Sequence, residues 1–214
     1  YIITKKLVEE LFNHKPKVHL KKISPKPLVG LVNGLYATSS GLGGITIIET
    51  FTYLSEQRLT LELTGQQGNV MKESMSVAKT VAWNLLSDVI KKNIRKNEPF
   101  GIHIHCPEAA TPKDGPSAGA AITTGIYSLL NNKSVNNKYA ITGEIDLNGK
   151  ILEIGGLNLK VDGAKKAGVE VVLCPKENEE DVLKIRNGKN PLEDDTFKII
   201  MVEHISEVLN YMLM

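Results

Sequence analysis

The sequence lacks most features that would assign a function directly. Its two cysteines, Cys106 and Cys174, are too few for a disulfide framework, so we expect a reducing compartment such as a cytoplasm or mitochondrial matrix. No apolar run approaches the roughly 20 residues of a membrane-spanning helix, and no signal-peptide layout is present. The 26 Lys+Arg and 24 Asp+Glu leave a net charge of +2, which indicates neither nucleic acid nor a membrane as partner. An intracellular chain of ordinary globular composition is therefore expected.

The first 27 residues differ from the rest in composition. They are rich in lysine and end in KKISPKP, which predicts a short helix over about 5–13 followed by a linker. The chain begins with Tyr1 rather than Met, so we expect it to be a piece of a longer protein. Residues 28–214 are expected to form one domain.

The pattern of strands and helices changes along this domain. Short apolar runs predict strands that open antiparallel: LVGLVNGLYAT, GGITIIETFTYL and LTLEL. In the second half, strands alternate with helices: YAITGEID and KILEI, then LNLKVDGAKKAG, VEVVLCP, ENEEDVLKI, FKIIMV and ISEVLNYML. This alternation predicts βαβ units and an α/β fold, layered like an α+β protein.

Two helices are predicted before that alternation begins. Steps of three and four residues predict one long amphipathic helix over 70–90, with the stripe Met71, Met75, Ala78, Ala82, Leu85 and Val89. A second helix is predicted over 117–130. One of its faces carries small residues that permit close approach of another element, and the other face is apolar.

Ser117 stands where a loop shaped by Gly and Pro becomes a helix. N–H groups in a first helical turn have no intrahelical partner, and the macrodipole adds partial positive charge, so such a turn can hold an oxyanion. A nucleophile and its oxyanion donors could therefore share this turn. A serine here can also simply cap the helix, and a base is needed to favour catalysis.

Lys160 supplies a candidate base. It falls in the apolar stripe of its helix with Leu157, Val161 and Ala164, and desolvation there lowers the pKa of a lysine from about 10.4. The neutral amine could then accept a proton from Ser117. The alternative is that the ammonium reaches water along the helix edge.

Several segments together resemble the proteolytic domain of the ATP-dependent Lon proteases. They are PEAATPKDGPSAG, ITGEIDLNGKILEIGGL, VGLVNGL and TGQQGNVMKES, and Ser117 precedes Lys160 by 43 positions. The resemblance covers essentially 28–214, while 1–27 resembles the end of the helical lid of an AAA+ module and its linker. It implies a Ser-Lys dyad peptidase with Ser117 as nucleophile and Lys160 as general base, a known variant of nucleophile-and-base catalysis.

Other positions receive roles beside this dyad. The resemblance implies that the Thr142 hydroxyl orients Lys160, although a threonine at a strand end can equally satisfy its own backbone. Asp114 is expected to shape the turn before Ser117. Glu49 matches an acidic family position near the substrate groove, and Pro107 and Glu108 are expected to contact substrate.

His103 and His105 project from the same face of one predicted strand. An H-x-H pair can belong to a zinc site, but no third ligand is evident, so hydrogen-bonded support beneath the catalytic loop is favoured. His105 is thus a candidate supporting residue, and it is a weaker base for Ser117 than Lys160. Lys113 lies in a polar loop, where it should stay protonated. No metal site or cofactor is expected in this domain.

The resemblance also implies properties of a complete enzyme. No G-x-x-x-x-G-K-[ST] motif occurs, so binding of ATP and Mg²⁺ is expected from an upstream AAA+ module. Unfolded polypeptides are the expected substrates, bound along an exposed strand edge, and a homohexamer is the expected assembly.

Two other functions compete with this prediction. A non-proteolytic Lon-like scaffold would keep the fold without the reaction, but the presence of both Ser117 and Lys160 argues against it. A small-molecule kinase would use PKDGPSAGAA as a phosphate loop, but it has few glycines and no evident magnesium-binding acidic set.

Overall fold

The computed structural model describes residues 2–13, 21–107, 114–188 and 191–214. Its central feature is a seven-stranded mixed sheet. From one edge to the other, its strands are β11 (Lys198–Val202), β10 (Val171–Pro175), β7 (Tyr139–Ile141), β2 (Leu31–Ala37), β3 (Gly43–Leu54), β5 (Phe100–His105) and β4 (Leu61–Thr64). Two small sheets pair β1 (Leu28–Val29) with β6 (Ser134–Val135) and β8 (Glu144–Ile145) with β9 (Ile151–Leu152).

Helices cover both faces of this sheet. They are α2 (Asn69–Leu85), α3 (Asp88–Lys96), α4 (Gly119–Asn131), α5 (Leu157–Ala167), α6 (Glu179–Asn187) and α7 (Ile205–Met212), after α1 (Lys5–Phe12), which buries no residue. One apolar core joins α2, α4 and α7 to the sheet, and a second joins α5 and α6 to the opposite face. Because successive strand residues point to opposite faces, β10 sends Leu173 into the first core and Val172 into the second.

This architecture confirms the predicted fold class. β2 pairs antiparallel with β3, and β3 pairs antiparallel with β5, as predicted for the first part of the domain. In the second half, β7 and β10 are parallel around α5, and β10 and β11 are parallel around α6. Only β4 departs from the opening pattern, because it pairs parallel with β5.

The single helix predicted over 70–90 is wrong. Leu86 is extended (ψ 144°), and α3 starts afresh with the Ser87 hydroxyl accepting from the N–H of Ile90 at 3.4 Å. Val89, the last member of the predicted stripe, is 68% exposed. The three- and four-residue spacing of apolar residues extends beyond the end of α2, but the Ser87 cap begins a new helix there.

Two other local predictions need correction. YAITGEID is two strands rather than one, because β7 ends at Ile141 and β8 pairs with β9 in a separate hairpin. Ser117 lies in a 3-10 turn (Pro116–Ala118), and α4 begins at Gly119. α4 is also buried on both of its predicted faces, because the sheet, α2 and α7 surround it.

At the β11 edge of the sheet, side chains are bonded to the backbone of Ile199. The N–H of Ile199 donates to Glu193 Oε1 at 2.7 Å, and its carbonyl oxygen accepts from Arg186 at 3.0 Å. Arg186 and Glu193 also form an ion pair with each other. At the opposite edge, β4 is four residues long. Among the described residues, no helix is long and apolar enough to cross a membrane.

Candidate active site

The early end of β7 creates the candidate site. β7 lies between β2 and β10, and it pairs with β2 only at Asn33 and Gly34. Beyond Ile141 the sheet therefore has an opening. Ser117 approaches it from the turn before α4 and Lys160 from α5, so residues from opposite layers meet there.

Several hydrogen bonds fix the turn that carries Ser117. The N–H of Gly143 donates to the Ser117 carbonyl oxygen at 2.9 Å, and the Thr142 hydroxyl donates to the same oxygen at 3.3 Å. Gly115, with φ 122°, makes the sharp entry into the turn, a conformation that glycine adopts readily. The strand end after β7 thus holds the backbone of Ser117 in place.

Asp114 ties this turn to the start of α2. Its Oδ1 accepts from the N–H of Gly115 at 2.9 Å and from the N–H of Met71 at 3.0 Å. The N-cap residue of α2 is Gly68, which has no side chain to fill that role. Asp114 therefore caps α2 from outside the helix and shapes the turn as expected.

Lys160 is almost completely buried, with 4% of its surface exposed. Its Nζ donates to Ser117 Oγ at 3.0 Å and to Thr142 Oγ1 at 3.2 Å. Burial lowers its pKa from 10.5 to about 8, because desolvation disfavours the ammonium. About a tenth of this lysine is therefore an uncharged amine at pH 7 and about half at pH 8, and this neutral form can accept a proton.

A cleft of about 520 Å³ opens over these groups. Its walls come from the end of β2, the start of α2, the Ser117 turn and the segment 153–155. Beyond Gly34, β2 has no strand partner on the side of β7 within the described residues. An unpaired strand edge thus runs beside Ser117.

Two glycines that the sequence reading did not single out set the position of α5. A Cβ on Gly163 would lie 2.2 Å from the carbonyl carbon of Gly43, and one on Gly43 would lie 1.8 Å from the carbonyl oxygen of Leu159. The helix backbone therefore rests directly on β3. Gly163 could have been singled out from the sequence, because a glycine inside a helix costs up to about 1 kcal/mol relative to alanine and so indicates a packing requirement.

Of the remaining predicted residues that the structure describes, Glu49, His105 and Pro107 lie outside this cluster. Glu49 and His105 are cross-strand partners on β3 and β5, and neither lines the cleft. Pro107 is half-buried just after β5. Glu108 and Lys113 lie outside the described residues, so the predicted contacts of Pro107 and Glu108 with substrate stay predictions.

The two histidines of β5 share one partner. Thr64 Oγ1 lies 2.8 Å from His103 Nε2 and 2.7 Å from His105 Nδ1. This arrangement ties β5 to β4 through side chains. In the part of the chain that the structure describes, no group of three or more His, Cys, Asp or Glu could hold a metal ion.

Comparison with known proteins assigns the class. The family model described as Lon protease (S16) C-terminal proteolytic domain matches residues 2–214. The chain is therefore a peptidase domain of mixed α/β architecture. Within that class, it belongs to the Lon protease family.

Curated relatives agree with this assignment. The chain is 43% identical to a Lon protease homolog of Acanthamoeba polyphaga mimivirus, over 97% of this chain and 21% of the relative. It is 42% identical to a Lon protease of Flavobacterium johnsoniae, over 91% and 23%. It is 40% identical to one of Campylobacter jejuni, over 99% and 27%. The chain thus spans about a fifth to a quarter of the length of these proteins.

Proposed function

We propose that this domain hydrolyses peptide bonds through a Ser-Lys dyad, with Ser117 as nucleophile and Lys160 as general base. The observation that carries the proposal is the 3.0 Å distance between Lys160 Nζ and Ser117 Oγ, at a lysine that is 4% exposed. Nucleophile and base within hydrogen-bonding reach, with the base oriented by a third group, form the pattern of an activated serine. Thr142 is that third group.

The reaction proceeds in two halves. Ser117 Oγ attacks the scissile carbonyl carbon while its proton passes to the neutral amine of Lys160. The tetrahedral intermediate collapses, the C–N bond breaks, and the Lys160 ammonium returns the proton to the leaving amine. Water then attacks the acyl carbon while Lys160 accepts a proton from it. The ester C–O bond breaks, Lys160 returns the proton to Ser117 Oγ, and the product leaves with a new carboxyl group.

Several backbone N–H groups around Ser117 already have acceptors, so they are not free to bind the oxyanion. The N–H of Gly115 is bound to Asp114, Pro116 has none, and the N–H of Ala120 donates to the carbonyl oxygen of Gly143 at 3.1 Å. We assign the N–H of Ser117 itself, in the first turn, to the developing oxyanion. One such donor contributes about 2.7–4 kcal/mol of barrier lowering.

The open edge of β2 is the proposed place for the substrate backbone. An extended peptide can add there as a strand and present its scissile bond to Ser117. Strand addition reads the backbone through N–H and C=O groups, so it accepts many sequences but requires an unfolded segment. The proposed substrates are therefore unfolded polypeptides.

Properties of the complete protein belong to the same proposal. Because the chain spans 21–27% of the relatives named above, the rest of a longer protein has room for an ATP- and Mg²⁺-binding module. We propose that such a module delivers unfolded chains, and that the complete protein works inside the cell as a homo-oligomer, a hexamer in the Lon pattern.

Covalent labelling tests the proposed dyad. A fluorophosphonate transfers its phosphonyl group to an activated serine as the P–F bond breaks, and peptide mass spectrometry locates the adduct. We expect the adduct at Ser117, together with slow cleavage of an unstructured peptide. Ser117→Ala is the matched control and should lose both. No adduct in the folded wild-type domain, or an adduct only on another serine, would contradict the proposal and favour a scaffold.

A further inference from the structure

The segment 22–24, which we call the strap, runs along the end of α5. The ammonium of Lys22 donates to the carbonyl oxygen of Lys166 at 2.5 Å, and the N–H of Ile23 donates to that of Ala167 at 3.2 Å. The Ile23 side chain packs at the second core. The strap, which lies inside the predicted 1–27 appendage, is thus in contact with the domain.

These bonds complete the C-terminus of α5. The last four carbonyls of a helix have no intrahelical partner. In α5, Gly168 donates to the first two, those of Ala164 and Lys165. The strap satisfies the other two, at Lys166 and Ala167. Without it, half of the terminal carbonyls of the helix that carries Lys160 would lose their partners.

A second connection joins the strap to the other wall of the cleft. Asn137 Nδ2 donates to the carbonyl oxygen of Ser24 at 2.7 Å, and Asn33 Nδ2 donates to the carbonyl oxygen of Asn137 at 2.9 Å. Asn33 belongs to β2, whose end lines the cleft. The strap is therefore bonded directly to α5 and through Asn137 to β2.

The middle of α5 is fixed by a different contact. Gly43 faces both Gly163 and the carbonyl oxygen of Leu159, so this contact with β3 spans the turn that carries Lys160. At 1.5 Å per residue, Ala167 lies about 6 Å along the axis beyond Gly163. The strap and the glycine contact are therefore two separate attachments of α5, and release of the strap leaves the helix free to rotate on Gly43 and to shift the Lys160 side chain.

We propose that Ile23 is a positioning residue, which sets the distance between Lys160 and Ser117 by holding the C-terminus of α5. This inference rests on the proposed Ser-Lys reaction. A positioning role predicts that loosening the strap changes both the rate of Ser117 acylation and the solvation of Lys160, without removing either catalytic group.

The test uses the full chain with Ile23→Pro, which removes the N–H donor to Ala167. Fluorophosphonate acylation of Ser117 is followed as a function of pH. We expect the rate near pH 8 to fall about tenfold or more, since small misplacements of reacting groups cost that much. The apparent pKa in the pH–rate profile should rise toward 10.5, because greater solvent exposure of Lys160 stabilises its ammonium form. Amide hydrogen exchange in α5 should accelerate.

Matched variants separate positioning from stability. Lys26→Ala changes an exposed side chain two residues beyond the strap and should leave the pH profile unchanged. If Ile23→Pro does not fold, Ile23→Ala keeps the N–H and shortens the packed side chain, and Ile23→Val should restore wild-type behaviour. A rate that falls only with the folded fraction, at an unchanged apparent pKa, would overturn the role of Ile23. Absence of labelling at Ser117 in the wild type would overturn the dyad as well.

Discussion

The Thr142 hydroxyl and the Lys160 amine lie 3.2 Å apart, and the same hydroxyl donates to the carbonyl oxygen of Ser117 at 3.3 Å. Because the hydroxyl proton is committed to Ser117, the oxygen presents lone pairs to Lys160. The amine can donate one N–H to Thr142 and keep its own lone pair for the Ser117 proton. In the proposed Ser-Lys reaction, Thr142 thereby orients the base and also holds the backbone of the nucleophile.

Thr142→Val tests this double role. It keeps the shape of the side chain and removes the hydroxyl, so we expect Ser117 acylation to fall by about tenfold, the equivalent of one net hydrogen bond. Thr142→Ser keeps the hydroxyl and should retain most of the rate. Equal rates in the two variants would show that the hydroxyl does not orient Lys160.

The pH dependence of acylation reports the protonation of Lys160. Since only the neutral amine accepts the serine proton, the rate should rise with pH through about 8 and then level off. Stopped-flow labelling with a fluorophosphonate gives this profile directly. A flat profile between about pH 6 and 10 would contradict a lysine base.

Lys160 should also reduce the stability of the fold at neutral pH. Its pKa is lower when folded, about 8, than when unfolded, 10.5, so below pH 8 folding must desolvate a charge. Lys160→Met should therefore abolish acylation yet raise the free energy of unfolding by up to about 3 kcal/mol near neutral pH.

The gain in unfolding free energy from Lys160→Met should shrink between pH 8 and 10.5, because the Lys160 amine is then increasingly neutral in the folded wild type. Above pH 10.5 it should vanish. Urea unfolding at three pH values checks the trend. A gain that grows with pH would have the wrong sign and would contradict desolvation as its cause.

Gly163→Ala tests the contact between α5 and β3. The added Cβ would meet the backbone of Gly43 at 2.2 Å, so the helix must move away. We expect a loss of about 1–3 kcal/mol in unfolding free energy and a slower acylation of Ser117. Gly155→Ala is the stability control, because no atom lies within 4 Å of its added Cβ. Thermal unfolding of both variants makes the comparison.

Asp114→Ala removes the cap of α2. Met71 and Gly115 lose their acceptor, so unfolding free energy should drop by about 1 kcal/mol, and acylation should slow because the Ser117 turn is less restrained. Asp114→Asn keeps an acceptor oxygen and should behave close to wild type in both thermal unfolding and labelling. If Asp114→Ala matches the wild type, the cap contributes nothing to the turn.

Sequence periodicity predicted α5 well. Gly155 and Gly156 precede it, Gly168 ends it in a left-handed conformation, and Lys160 falls on the buried stripe as the spacing requires. The approach of Lys160 to Ser117 could be inferred only through family resemblance, because two residues 43 positions apart carry no local signal of contact.

The failures have one local cause and several tertiary ones. The break between α2 and α3 follows from a serine cap that competes with a continuing apolar spacing. The break after β7 comes from tertiary contacts: Gly143 has Ile151 where a Cβ would stand, and its N–H is bound to the Ser117 carbonyl. The bonds from Asn33 and Asn137 that reach the strap join residues far apart in sequence, and composition cannot reveal them.

The side chains bonded to Ile199 at the β11 edge have a consequence for the proposed action on extended chains. Such chains readily pair with any free strand edge, and sheets with open edges are prone to sticking together. Here Glu193 and Arg186 already use the N–H and the carbonyl of Ile199. Under the proposed function, an extended polypeptide is thus discouraged from pairing with this part of the sheet edge, which is remote from Ser117, and the unpaired edge of β2 beside Ser117 remains available.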